Sequence, residues 1–261
     1  MIGLEPYLLT YPKEFHKPFD FSNVGFTSIL NAVLSAGDIS PVDDFSSYGS
    51  QGAIDAVYPT TDTVSARGNI STNKIDYNSI IDGTNNSICR DLGGLVDNTA
   101  FVVRFRYNVA TTSRNPSGYV VSPVIGLFDV DENTGSNNNQ SSCSISPYMD
   151  NLVRGYVLYS STSSLLPYNG TYSKSFTETC TAGDNWYWEL TKLSATSLKA
   201  ECFSNSGYST SVESQTLTII STCGEDMRYL GIKNISPQES QTGNQQGYME
   251  HLGFKNGVTS W

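Results

Sequence analysis

Basic residues, histidines and long apolar runs are all scarce in this 261-residue chain. Lys and Arg total 15 against 25 Asp and Glu, and the formal net charge is -10. Phosphate backbones are repelled by such a surface, so nucleic-acid binding is not expected. No apolar run reaches membrane-span length, which argues against insertion in a bilayer as a helix. The opening Met1-Ile2-Gly3-Leu4-Glu5-Pro6 lacks the basic stretch and continuous apolar core of a secretory leader. The expectation is a protein that stays in the cytoplasm or reaches an outward-facing assembly, such as a virion, without a cleaved signal.

Metal and redox motifs are thin as well. Cys89, Cys143, Cys180, Cys202 and Cys223 are widely spaced, odd in number and without a Cys-x-x-Cys pair. With 2 histidines in the chain, a structural zinc site is not expected, and buried thiols are the simplest reading. One or two disulfides would fit an oxidising medium. There is no Gly-rich phosphate loop and no nucleophile elbow.

What the chain does have is 16 Tyr, 11 Phe and 22 Gly among many Ser, Thr and Asn, the residues of strands and of the turns between them. The clearest strand is Thr99 to Val109. Phe101, Val103, Phe105, Tyr107 and Val109 alternate with Val102, Arg104, Arg106 and Asn108. The aromatics are predicted to enter a core and the arginines a wet, ligand-facing surface. Similar runs at 119–128, 155–160, 171–177, 185–193, 197–204, 215–221, 228–235 and 247–254 predict antiparallel sheets. Within them, 186–190 and 198–203 read as a hairpin closed by a polar four-residue loop at 194–197.

Residues 1–42 differ, because Pro6, Pro12, Pro18 and Pro41 interrupt them. Phe26, Ile29, Leu30, Val33 and Leu34 share one face of a predicted helix that Ser22 or Asn23 caps and Gly37 ends. This segment is read as an arm, covering one end of the sandwich or docking on a scaffold or neighbouring subunit. The sandwich proper is expected over 43–261.

Five stretches, Asp43-Asp44-Phe45-Ser46-Ser47-Tyr48, Phe101 to Tyr107, Ile125-Gly126-Leu127-Phe128-Asp129, Tyr229 to Asn234 and Gly247 to Gly257, resemble concanavalin A-like, laminin-G-type jelly rolls. The likeness spans roughly 43–258; in the last strand His251 stands where such domains tend to carry an acid. It implies an all-β fold of two antiparallel sheets with the first and last strands adjacent. It also implies a lectin-like role in binding glycans or proteins, in adhesion or in display on virions, often with calcium at the sandwich rim.

Asp129, Asp131 and Asn133 offer alternating oxygen ligands for such a calcium ion, although Gly135 and Gln140 break the EF-hand pattern. The competing reading is a solvated polar loop. Trp186 and Trp188 share a strand face that would serve as a sugar platform or as core. Arg104 and Arg106 are the candidates for the wet face, or pair there with surplus carboxylates. No segment offers the paired carboxylates of a glycosidase. Glu132, Glu189, Glu201 and Glu250 stand isolated, with Glu189 and Glu201 expected at exposed hairpin positions, and His16 and His251 are expected to be structural or solvated. The expected function is therefore a non-enzymatic binding or display module within a larger assembly. A self-assembling subunit without glycan affinity is the alternative, and a carbohydrate-active enzyme is a third reading.

Overall fold

A computed structural model describes residues 36–58, 68–69, 74–78, 87–113, 124–131, 141–149, 154–162, 172–178, 183–233 and 244–261. The chain divides into units 1–34 and 35–261. The helix expected over residues 22–34 lies outside the described residues.

The second unit is a jelly-roll sandwich of two antiparallel sheets. Its strands are β1 (Ile39–Asp43), β2 (Gly68–Asn69), β3 (Lys74–Asn78), β4 (Ser87–Asp91), β5 (Phe101–Ser113), β6 (Val124–Phe128) and β7 (Ser142–Met149). They continue with β8 (Arg154–Ser161), β9 (Ser173–Ser175), β10 (Asn185–Ser194), β11 (Ser197–Phe203), β12 (Ser211–Thr218), β13 (Tyr229–Lys233) and β14 (Asn244–Asn256). The larger sheet runs β12-β11-β10-β5-β14-β3-β2 with β1 also on β14, and the smaller runs β4-β13-β6-β7-β8-β9. No helix among the described residues is long and apolar enough to cross a membrane.

β1 pairs with β14, Ile39 opposite Phe254, so residues 39–42 are part of the sandwich and not of an arm. Pro41 disguises this strand in the sequence, since proline gives no ladder donor and is confined to edges. The segment after β1 is locked by Asp43. Its carboxylate accepts from the Tyr48 hydroxyl at 2.6 Å, the Tyr58 hydroxyl at 2.9 Å and the Phe45 backbone N–H at 2.9 Å. Between the two tyrosines, the Ser50 side chain caps the short helix α1 (Gln51–Val57) by accepting from Ala53 N.

The alternation in β5 is realised as read: Phe101, Val103, Phe105 and Val109 are fully buried, and Tyr107 is nearly so. Across the sheet, Trp188 and Leu190 lie opposite Phe105 and Val103. Trp188 packs on Tyr156 and Phe176 with ring centroids 5.0 Å apart in each case. The β10–β11 hairpin is tighter than expected: Ser194 pairs with Ser197, leaving Ala195 and Thr196 as the turn.

The smaller sheet departs from simple alternation. Every residue of β6 is buried, and so are Ser142, Ser144 and Ser146 of β7, although Cys143 and Ile145 already occupy the inward positions. Gly231 faces outward in β13, where a Cβ would overlap the backbone of Ile88 and Cys89 on β4.

Candidate ligand-binding face

The outward side of the larger sheet gathers polar and aromatic side chains by strand register. Arg104 on β5 lies between Glu189 of β10 and Gly253 of β14, and Arg106 between Tyr187 and Glu250. Asn108 continues the row, flanked by Asn185 and Tyr248.

Each arginine is oriented by two kinds of partner. The Arg104 Nε and Nη2 both donate to Glu189 Oε2 at 2.7 Å. Its guanidinium also packs against the rings of Tyr208, 4.2 Å away, and Trp261, 5.0 Å away. Gly253 makes room for that indole, because a Cβ there would come within 2.5 Å of it. Arg106 donates from Nε to Asn185 Oδ1 at 2.7 Å and from Nη1 to Glu250 Oε2 at 2.5 Å, with its guanidinium 5.4 Å from the Tyr187 ring.

A bulge in β14 completes the arrangement. Between Glu250, opposite Arg106, and Gly253, opposite Arg104, β14 carries one residue more than β5. His251 occupies it with φ 56°, a left-handed conformation uncommon for a non-glycine residue. The extra residue shifts the phase so that Met249, Leu252 and Phe254 all enter the core. His251 is thereby placed next to Glu250, 3.9 Å from its carboxylate, and 6.3 Å from the Tyr187 ring. Bulges commonly re-aim side chains beside functional sites. Strained residues of this kind cluster there too.

The sequence candidates fare differently. Arg104 and Arg106 stand on the wet face, although Arg104 is capped by two rings while Arg106 is the more open. Trp188 is fully buried, so its role as a sugar platform gives way to core packing. Trp186 shares its inward face and packs half-buried against the core. Register decides this, since 186, 188 and 190 oppose the inward residues of β5. Glu189 and Glu201 are not freely exposed hairpin positions. They face each other directly, each neutralised by its own cation, Arg104 and Lys199 respectively. Burial pulls the Glu201 carboxyl upward, but hydrogen bonds from Lys199 and Ser211 outweigh it and hold the group below the ordinary carboxylate range.

In the calcium candidate, Asp129 and Asp131 are described and Asn133 lies outside the described residues. Asp129 Oδ1 is buried without a hydrogen-bond partner among the described residues. The adjoining Val130 carbonyl already accepts from the buried Lys233 ammonium at 2.5 Å. Two carboxylates beside a lysine fall short of the six to eight oxygens a calcium ion takes. No group of three or more His, Cys, Asp or Glu suited to a metal is found among the described residues.

Sequence reasoning passed over Tyr187, Asn185, Tyr208, Tyr248, Glu250 and Trp261 as members of this face. One signal for the bulge was readable: apolar residues at 249, 252 and 254 step by three and then by two. A regular strand would hold a step of two.

No family model matches the chain, and no curated protein matches it in sequence. Among solved structures it is similar to scytalido-glutamic peptidase, at 16% identity over 60% of this chain and 61% of that one, with a TM-score of 0.32. It is also similar to the CBM2 module of the evolved Dit of Lactobacillus casei BL23 phage J-1, at 15% identity, 67% and 71% coverage and a TM-score of 0.34. The metal-free carbohydrate recognition domain of Emp46p aligns with 83% of this chain and 96% of its own length, at 10% identity and a TM-score of 0.46.

Proposed function

We propose that the protein is a non-enzymatic, lectin-like binding module whose ligand lies on the outward face of the larger sheet, around Arg106, Tyr187, Asn185, Glu250 and His251. The observation that carries this reading is the β14 bulge, which holds His251 in a strained conformation beside a ready-oriented Arg106–Glu250–Asn185 set. Tyrosine rings with fixed amide, guanidinium and carboxylate groups suit a sugar, which needs a flat apolar contact and directional hydrogen bonds. The carboxylates there are each engaged by a cation, an arrangement suited to holding hydroxyls rather than to delivering a proton. Display on a virion or other outward-facing assembly and anchoring through residues 1–34 belong to the same proposal.

A glycan array followed by titration, with and without calcium, tests it. Saturable binding is expected, weakened about tenfold or more by Tyr187→Ala and lost in His251→Gly, whose backbone glycine accommodates. Absence of any glycan binding in either condition would sink the reading. Polysaccharide turnover abolished by Glu250→Gln would replace it with an enzyme. Deleting residues 1–42 would also remove most of β1, so the anchoring test is deletion of 1–34, which should leave a folded domain that no longer joins its assembly.

A further inference from the structure

Polar groups from separate parts of the chain meet inside the sandwich beneath the loop at 219–228. Cys143 stands on the inward side of β7 and Cys223 in the loop, both fully buried with free thiols. Ser160 of β8, paired with Cys143, has its hydroxyl 3.4 Å from the Cys143 Sγ. The same hydroxyl lies close enough to the Cys223 thiol to favour its ionised form. Lys192, fully buried at the inward end of β10, donates from Nζ to the Cys223 carbonyl at 2.6 Å. A Cβ placed on Gly224 would lie 3.3 Å from the Cys143 Sγ and 3.1 Å from the Lys192 Nζ. The Cys143 sulfur therefore lies against the residue that follows Cys223. None of these groups belongs to the outward face.

We propose that Cys143 and Cys223 form a redox-responsive thiol pair that closes to a disulfide, with a small-molecule disulfide such as oxidised glutathione as the oxidant. The thiolate of one cysteine attacks a glutathione sulfur and breaks its S–S bond, and the first glutathione leaves as a thiolate that takes up a proton. The second cysteine then attacks the protein sulfur of the mixed disulfide and expels the other glutathione. Two protein thiols are oxidised, and one oxidised glutathione becomes two reduced ones. Burial pushes both thiols up, while the Lys192 ammonium favours their thiolates. The pair is inert while the loop is closed, and Lys192 assists once it opens.

The test incubates the full chain with oxidised glutathione, alkylates the remaining thiols under denaturing conditions and maps linked peptides by mass spectrometry. A 143–223 link is expected, two hydrogens lighter than the separate peptides and reversed by dithiothreitol. The thermal midpoint should rise by roughly 5–10 °C, and Cys143→Ser should show neither link nor rise. Full alkylation of Cys143 and Cys223, a link to Cys89, Cys180 or Cys202 instead, or a rise that persists in Cys143→Ser would each overturn the proposal.

Discussion

The two sheets present outward faces built on opposite principles. On the larger sheet the outward residues include arginines, carboxylates, amides and tyrosines that are partly open to water and bound to one another by hydrogen bonds and ring contacts, beside the buried Val102, Thr191 and Phe203. On the smaller sheet the outward residues Cys89, Val124, Phe128, Ser142, Ser144, Ser146 and Lys233 are buried, and this side opens toward its edge strand β4, at Asp91 and Tyr229. A sheet wet on one side can carry groups that a ligand could reach. Where a sheet is buried on both sides its positions take small or apolar residues, or a polar group with a buried partner such as Lys233, whose ammonium donates to the Val130 carbonyl. The hydroxyls of Ser142, Ser144 and Ser146 have no hydrogen-bond partners among the described residues, so on this sheet serine acts mainly as a small side chain.

A lysine placed on each face breaks or sharpens this contrast most strongly. Ser144→Lys would bury an unpaired ammonium, a cost comparable to a domain's whole stability, and should yield insoluble protein. Thr216→Lys, on an exposed outward position of β12, should change stability by no more than about 0.5 kcal/mol. Equal solubility and equal melting of the two variants would dismiss the distinction. Ser144→Ala, by contrast, should stay within about 1 kcal/mol of the parent, since it removes an unpartnered hydroxyl.

Neighbouring residues of β10 give the next largest effect. Trp188→Ala should cost about 3–5 kcal/mol in denaturant unfolding, whereas Tyr187→Ala, one residue away on the open face, should cost about 1 kcal/mol and act mainly on binding. A third comparison concerns the bulge: His251→Gly should raise stability by up to about 1 kcal/mol through relief of the left-handed strain. A destabilised His251→Gly protein would show that the imidazole serves the fold.

The smallest effect is electrostatic and lies at the exposed edge strand of the smaller sheet. Arg228 donates to Asp91 through Nε and Nη2, at 2.8 and 2.7 Å, and holds its carboxyl below the ordinary value. A carboxylate depressed in the folded state stabilises it above the unfolded pKa of about 3.9. That contribution is lost as pH falls through the folded value. Arg228→Ala should therefore differ from the parent near neutrality and converge with it in strong acid, followed by melting curves and by the Asp91 carboxyl shift in NMR.

Much of the fold was legible because β5, β10, β11 and β14 each keep one apolar side, and a period of two announces that locally. β4 and β7 were not read: Ser142-Cys143-Ser144-Ile145-Ser146 looks half polar, and nothing in it reveals that its serines are buried. β1 was hidden by Pro41. At the candidate site the arginines were found from alternation alone. Tyr187 is not joined to Arg106 by any local pattern, because the two meet only through register between strands some 80 residues apart in sequence.

By itself the sequence determined that the chain makes antiparallel sheets, that Phe101, Val103 and Phe105 enter a core and that Arg104 and Arg106 leave it, since side-chain direction in a strand is a local property of the backbone. Only the tertiary structure decided which face of which sheet stays open, which carboxylate each arginine meets, and that His251 is turned outward beside Glu250. Those outcomes depend on pairing between distant strands and on one extra residue in β14, and no local periodicity encodes either.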